Sequence, residues 1–157
     1  MSIITYYQNP FYNDVFGTHD VTIPSKRIRY KQDESKRITE IITPKGSQEF
    51  GSYIKQVFHS DSNENWPYKC ELLMAISILL PIKEWKIKDV DNLAKSIVDA
   101  LKGAAYEDDN QITSLFISKK KSDKPSFMVG LKCLSNTDSN WCVPDLYSKE
   151  PWDNEQI

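Results

Sequence analysis

From Thr43 to Ser60 the stretch TPKGSQEFGSYIKQVFHS sets Phe50, Tyr53, Ile54, Val57 and Phe58 at the i, i+3, i+4, i+7, i+8 spacing of an amphipathic helix. Thr43 and Pro44 suit the N-cap and first turn, while Gly46 and Gly51 weaken the pattern slightly. The unbroken apolar run CELLMAISILLP, stopped by a proline, has the length of a buried strand. QITSLFISKKK and FMVGLKCL read as two more strands, with the polar connector KSDKPS as a hairpin turn between them. SIITYY and DVTIP, rich in β-branched and aromatic residues, predict short strands near the start.

A second helix is predicted from Asn92 to Lys102. Leu93, Ile97, Ala100 and Leu101 form its apolar stripe, Asp91 is its N-cap, and Lys102 and Gly103 supply a last-turn cation and a C′ glycine. Helices and strands in this order predict a single α+β domain, a mixed β-sheet packed against helices, over residues 1–134. After Leu134 periodicity stops and residues 135–157 read as an acidic tail, with Trp141, Tyr147 and Trp152 as aromatic residues able to dock on the domain or on a partner chain.

Composition narrows the function classes. A chain of 157 residues can bury one core and is too short for two domains. No apolar run approaches the roughly 20 residues needed to cross a bilayer, and MSIITYYQNP lacks the basic start and apolar centre of a signal peptide. The expectation is a soluble, intracellular, cytoplasmic protein with no membrane partner. Cys70, Cys133 and Cys142 are widely spaced and never form a C-x-x-C pair, so the expectation is idle or buried thiols in a reducing compartment, with neither a disulfide framework nor a zinc site. His19 and His59 are the only histidines, which leaves a histidine-based triad little to work with and turns attention to carboxylates.

The net charge of -2 hides an asymmetry. Lys26, Arg27, Arg29, Lys31, Lys36 and Arg37 face only Asp33 and Glu34 between Thr22 and Arg37, whereas acids dominate from Leu134 onward. A local basic face is what nucleic-acid binding requires, so the near-neutral total does not exclude it.

IKDVDNLAKSIVDALKGAAYEDDNQI, residues 87–112, concentrates the candidate chemistry. Asp89 and Asp91 diverge by about 200° inside a helix and share a face in an extended segment, so their convergence requires the helix to begin near Asp91. Asp91, Lys95 and Asp99 then fall on one polar side. The helix would be about 16 Å long and the connector GAAYED can span about 20 Å, which lets Asp108 and Asp109 return to the helix start. Carboxylates meeting there need a hard cation, Mg²⁺ or Mn²⁺, and such a site orients phosphates for hydrolysis. Lys95 could neutralise charge on a phosphoryl group or orient a nucleophile. The plain alternative also stands: Asp91 caps, Lys95 pairs with Asp91 and Asp99 on the surface, and Asp108 and Asp109 begin a turn.

DVDNLAKSIVDAL followed by YEDDNQI closely resembles the signature of the RusA family of Holliday junction resolvases, a D-x-D-N-L-x-K-x-x-x-D-x-L helix with a downstream Asp-Asp pair. The resemblance implies a RusA-like fold and a small homodimeric, Mg²⁺-dependent endonuclease that cuts four-way DNA junctions symmetrically. It assigns Asp89, Asp91, Lys95 and Asp109 to catalysis, and Asp89, Asp91, Asp109 and the neighbouring Asp108 to metal. Asp99 matches another recurrent acid of the family. PSKRIRY, at Pro24 to Tyr30, resembles a basic element of the family with altered spacing and no glycine. Under this reading Lys26, Arg27, Arg29, Lys31, Lys86, Lys88, Lys119, Lys120 and Lys121 contact DNA phosphates. Trp85 either stacks on an unpaired base or packs against the helix. A four-way junction has two-fold symmetry, which a C₂ dimer with one active site per subunit matches. Two alternatives stay open: a non-catalytic branched-DNA-binding protein on the same fold, and a D-x-D nucleotide-sugar enzyme.

Overall fold

The run Leu72–Leu80 forms a strand buried at almost every position. Such continuous burial belongs to a strand with neighbours on both edges and cover on both faces. The structure, a computed structural model, describes residues 4–7, 11–25, 29–33, 38–42, 46–60 and 65–134, with side chains described at 11–25, 46–57 and 65–134. In chain order the elements are β1 (Ile4–Tyr7), β2 (Asp14–Thr18), β3 (Arg29–Asp33), β4 (Ile38–Ile42), α1 (Ser47–Ser60), β5 (Leu72–Leu80), α2 (Ile82–Ile87), α3 (Val90–Leu101), a 3-10 turn (Asp109–Gln111), β6 (Ile112–Lys121) and β7 (Ser126–Cys133). No helix among the described residues is long and apolar enough to cross a membrane.

Five strands make one mixed sheet in the order β1-β2-β7-β5-β6, and β3 pairs antiparallel with β4 in a separate ribbon. β5 and β6 run parallel, while every other neighbouring pair in the sheet is antiparallel. A parallel pair needs a long crossover, and α2 and α3 supply it. The two-residue alternation of β5 then divides the core. Leu72, Met74, Ile76, Ile78 and Leu80 join Phe50 and Ile54 of α1 and Leu93, Ile97 and Leu101 of α3. Leu73 and Ala75 meet Tyr12, Val15 and Leu134 on the other face. The α+β architecture expected from the sequence is therefore present, and of the expected stripe of α1 Phe50 and Ile54 are core with Tyr53 and Val57 packed against it, while the Phe58 side chain lies outside the described residues.

Several local expectations are corrected. QITSLFISKKK and FMVGLKCL are strands, but β5 lies between them, so KSDKPS is no hairpin turn. Pairing β6 with β7 directly would leave the most buried strand with an open edge. DVTIP is not a strand: Asp20 takes a positive φ of 60° and the strand lies earlier, at β2. There Gly17 permits close approach, since a Cβ would come 2.4 Å from the Phe127 carbonyl oxygen. α1 begins at Ser47 rather than near Thr43; Thr43 and Pro44 lie outside the described residues, as does the tail at 135–157. α2, β3 and β4 were not anticipated.

The thiol expectation is also overturned for two cysteines. Cys70, just before β5, and Cys133, at the end of β7, are joined in a disulfide with Cα atoms 5.8 Å apart. The two strands are antiparallel neighbours, with Leu72 opposite Cys133, and this register brings residues distant in sequence side by side.

Candidate active site

Only Lys88 and Asp89 separate α2 from α3, and two half-buried lysines hold this corner. The Lys119 ammonium, from β6, donates to the carbonyl oxygens of Trp85 at 2.8 Å and Lys88 at 2.6 Å, closing the C-terminal end of α2. Lys88 donates to the Ile23 carbonyl at 2.7 Å and pairs with Glu84. Trp85 packs against the core, its indole N–H aimed at the Lys119 carbonyl and its ring flanked by the Lys119 and Lys121 ammonium groups at 4.9 and 4.8 Å. Of the two readings of Trp85, the structure supports packing.

This corner presents the D-x-D pair. Asp89, with extended backbone, is the N-cap of α3, and Asp91 lies in its first turn. The helix thus begins earlier than expected, and Asp89 rather than Asp91 is the cap residue. The Asp89 side chain makes no cap hydrogen bond to the helix amides; Asn92 Nδ2 approaches Asp89 Oδ2 at 3.4 Å. Both carboxylates are exposed, at the positive end of the α3 dipole. Lys95 follows one turn later, half exposed, with Nζ 3.7 Å from Asp99 Oδ1.

At the other end of α3, Gly103 takes the positive φ of 76° that a C′ position favours, as expected. The chain does not then lead Asp108 and Asp109 back to the helix start. The Lys102 ammonium binds the Asp108 carboxylate directly and lies 3.1 Å from Asp109 Oδ1. These bonds, Asp108 first, raise the Lys102 pKa, and the bond to Lys102 is the foremost cause holding Asp108 below its ordinary value. Tyr106, buried beneath, donates its hydroxyl to the Val98 carbonyl at 2.6 Å. Burial, then the charges of Asp109 and Asp99, push its pKa up, so these two acids flank one phenol. Lys102, read from sequence only as a last-turn cation, pairs with both acids at this end of α3.

Asp108 caps the 3-10 turn in a capping box with Gln111: the Asp108 side chain accepts from Asp109 N–H at 2.9 Å, and Gln111 Oε1 accepts from Asp108 N–H at 2.8 Å. The D-x-x-Q spacing was a visible signal for this role, and sequence reasoning passed over it.

α3 spans about 16 Å, so the candidate ligands form two groups, Asp89 with Asp91 and Asp108 with Asp109. Among the described residues no three of His, Cys, Asp and Glu stand together as a metal site. Asp89 and Asp91 thus stand at the start of α3, and Asp108 and Asp109 stand with Lys102 at its end. Of the basic residues, Lys86, Lys120 and Lys121 are exposed, whereas Lys88 and Lys119 are half-buried and hydrogen-bonded as described. Arg29 and Lys31 lie on β3, opposite Ile42 and Glu40 in the register of β4; Lys26 and Arg27 lie outside the described residues.

No curated protein matches the chain significantly. The family described as Endodeoxyribonuclease RusA matches residues 21–132, a span from the segment before β3 into the last strand, β7, that includes every acid of both groups. The chain belongs to the RusA endodeoxyribonuclease family.

Proposed function

We propose that the protein is a metal-dependent, structure-selective endodeoxyribonuclease that resolves four-way (Holliday) junctions by paired phosphodiester hydrolysis, acting as a homodimer. The observation that carries this reading is the exposed corner of a RusA-family domain on which Asp89 caps α3 and Asp91 precedes Lys95 by one helical turn. Buried acids would be structural; exposed acids beside a lysine suit a phosphate and a hard cation.

Mg²⁺ or Mn²⁺ is the ion this chemistry calls for, and when bound it would activate a water and offset charge on the leaving oxygen. Asp89 and Asp91 would hold it from one side. The second acid group, Asp108 and Asp109, comes from another copy in this reading. Along the exposed side of α3 the charges alternate: Asp91, Lys95, Asp99, Lys102. Two such helices laid antiparallel about a two-fold axis set the Asp91 end of one beside the Lys102 end of the other, which brings its Asp109 toward Asp89. Lys95 then faces the phosphoryl group, while Lys86, Lys120 and Lys121, with Lys26, Arg27, Arg29 and Lys31, supply phosphate contacts that position the arms.

The test is incubation of a synthetic four-way junction with Mg²⁺, Mn²⁺ or EDTA, using wild type and Asp91→Asn. Metal-dependent nicks that vanish in the variant support the reading. Junction binding with no cutting under any metal condition would instead identify a non-catalytic branched-DNA-binding protein.

A further inference from the structure

Gln111 makes three hydrogen bonds with one side chain. Its Nε2 donates to the carbonyl oxygens of Tyr68 and Cys70, both at 2.9 Å, and its Oε1 accepts from Asp108 N–H at 2.8 Å. Both donors and the acceptor of the amide are thereby engaged, across more than 40 residues of sequence on the donor side. A side chain that only capped its own turn would need the Asp108 bond alone.

The backbone around it explains why the residue reaches so far. Leu72 is opposite Ile112 but Leu73 is opposite Ser114, so Thr113 is an extra residue at the start of β6. A bulge of this kind re-aims the residues beside it, and Gln111 is next but one. On the other side of the acid pair, Tyr68 N–H donates to the Ala105 carbonyl at 2.9 Å and Glu107 N–H donates to the Tyr68 carbonyl at 3.3 Å. The turn carrying Asp108 and Asp109 is therefore held at both ends on the segment that enters β5, and Cys70 in that segment is tied to β7 through Cys133.

We infer that Gln111 is a positioning residue for Asp109: it fixes the acid-bearing turn to the Tyr68–Cys70 segment and so sets where the Asp109 carboxylate stands. This rests on the proposed endonuclease reading for its catalytic consequence, and on the hydrogen bonds for its structural one. Gln111→Leu keeps the bulk of the side chain and removes all three bonds. Gln111→Glu keeps the acceptor for Asp108 N–H and removes both donors to Tyr68 and Cys70.

Both variants are compared with wild type in junction cleavage and, without metal or DNA, by amide NMR and hydrogen exchange. The expected result is a fall of about 10–100-fold in kcat for Gln111→Leu with KM unchanged, the range seen when groups orienting an active-site ligand are lost. The amides of Asp108, Asp109 and Asn110 shift and exchange faster while those of β5 and α3 stay as they are. Gln111→Glu falls at least as far, because its carboxylate sets an anionic oxygen against the Tyr68 and Cys70 carbonyls although the bond from Asp108 N–H survives. Unchanged kcat, or a loss that merely tracks the folded fraction, would overturn the inference. If wild type cuts no junction, the endonuclease reading fails and the amide data still decide: changes confined to residues 108–110 uphold the positioning role, and their absence refutes it.

Discussion

The Lys102 ammonium lies 3.1 Å from the Asp109 carboxylate, one residue beyond the C-terminal end of α3 and a helix length away from Asp91. That clasp lies at the second of the two acid groups, and its pH behaviour follows from the direction of each shift. Asp108 is lowered from 3.8 in the folded state, so its contribution is present above that value and is lost as pH falls through the lowered one. Lys102 is raised from 10.5, so its contribution is present below that value and is lost as pH rises through the raised one. The clasp is intact throughout the neutral range. In carboxyl NMR, Asp108 is expected to titrate below 3.8 in wild type and to move up toward it in Lys102→Ala. An Asp108 titration that ignores the substitution would contradict the clasp.

Lys119 and Lys120 are neighbours in sequence with different tasks. Lys119 closes α2 through two carbonyls, and Lys119→Ala is expected to lower stability in urea by about 2 kcal/mol, the scale of hydrogen bonds from a charged group. Lys120 is exposed, and Lys120→Ala should leave the urea midpoint alone while reducing the salt dependence of junction binding by about one phosphate contact. Equal effects on folding would contradict this division.

Gly17 sits where β2 meets β7 most closely. A methyl group there would stand 2.4 Å from the Phe127 carbonyl oxygen, which is backbone and has little room to give. Gly17→Ala should cost about 1–3 kcal/mol, the usual range for overpacking. Thermal unfolding at the wild-type temperature would argue that the strands can part without penalty.

The Cys70–Cys133 bond predicts a thiol count. Of three cysteines, only Cys142 should react with an alkylating reagent in denatured, unreduced protein. Reduction should expose all three and lower stability by about 2–4 kcal/mol, as expected for a cross-link closing a long loop. Three reactive thiols before reduction would mean the bond is not made in solution.

What could be read from sequence was local. The 3.6-residue spacing of Leu93, Ile97 and Leu101, with Gly103 after them, marked α3, and the unbroken run at β5 marked a buried strand. The family signature in residues 89–112 was legible because its acids and its lysine crowd into one segment. What was missed depends on partners distant in sequence. The order of β6 and β7 is decided by β5, which both must flank. β2 was hidden by the glycine its close pairing requires. Chain length allowed Asp109 to return to the start of α3; Lys102 and the carbonyls of Tyr68 and Cys70, reached through Gln111, keep it at the other end.

The central claim is that this domain cuts branched DNA by paired incision. A supercoiled plasmid carrying an extruded cruciform, incubated with wild-type protein and Mg²⁺, tests it most directly. The account predicts linear plasmid with breaks mapping symmetrically across the cruciform, no cutting of the same plasmid after relaxation, and no product with Asp91→Asn. Equal cutting of relaxed and cruciform plasmid, or linear product from Asp91→Asn, would contradict it.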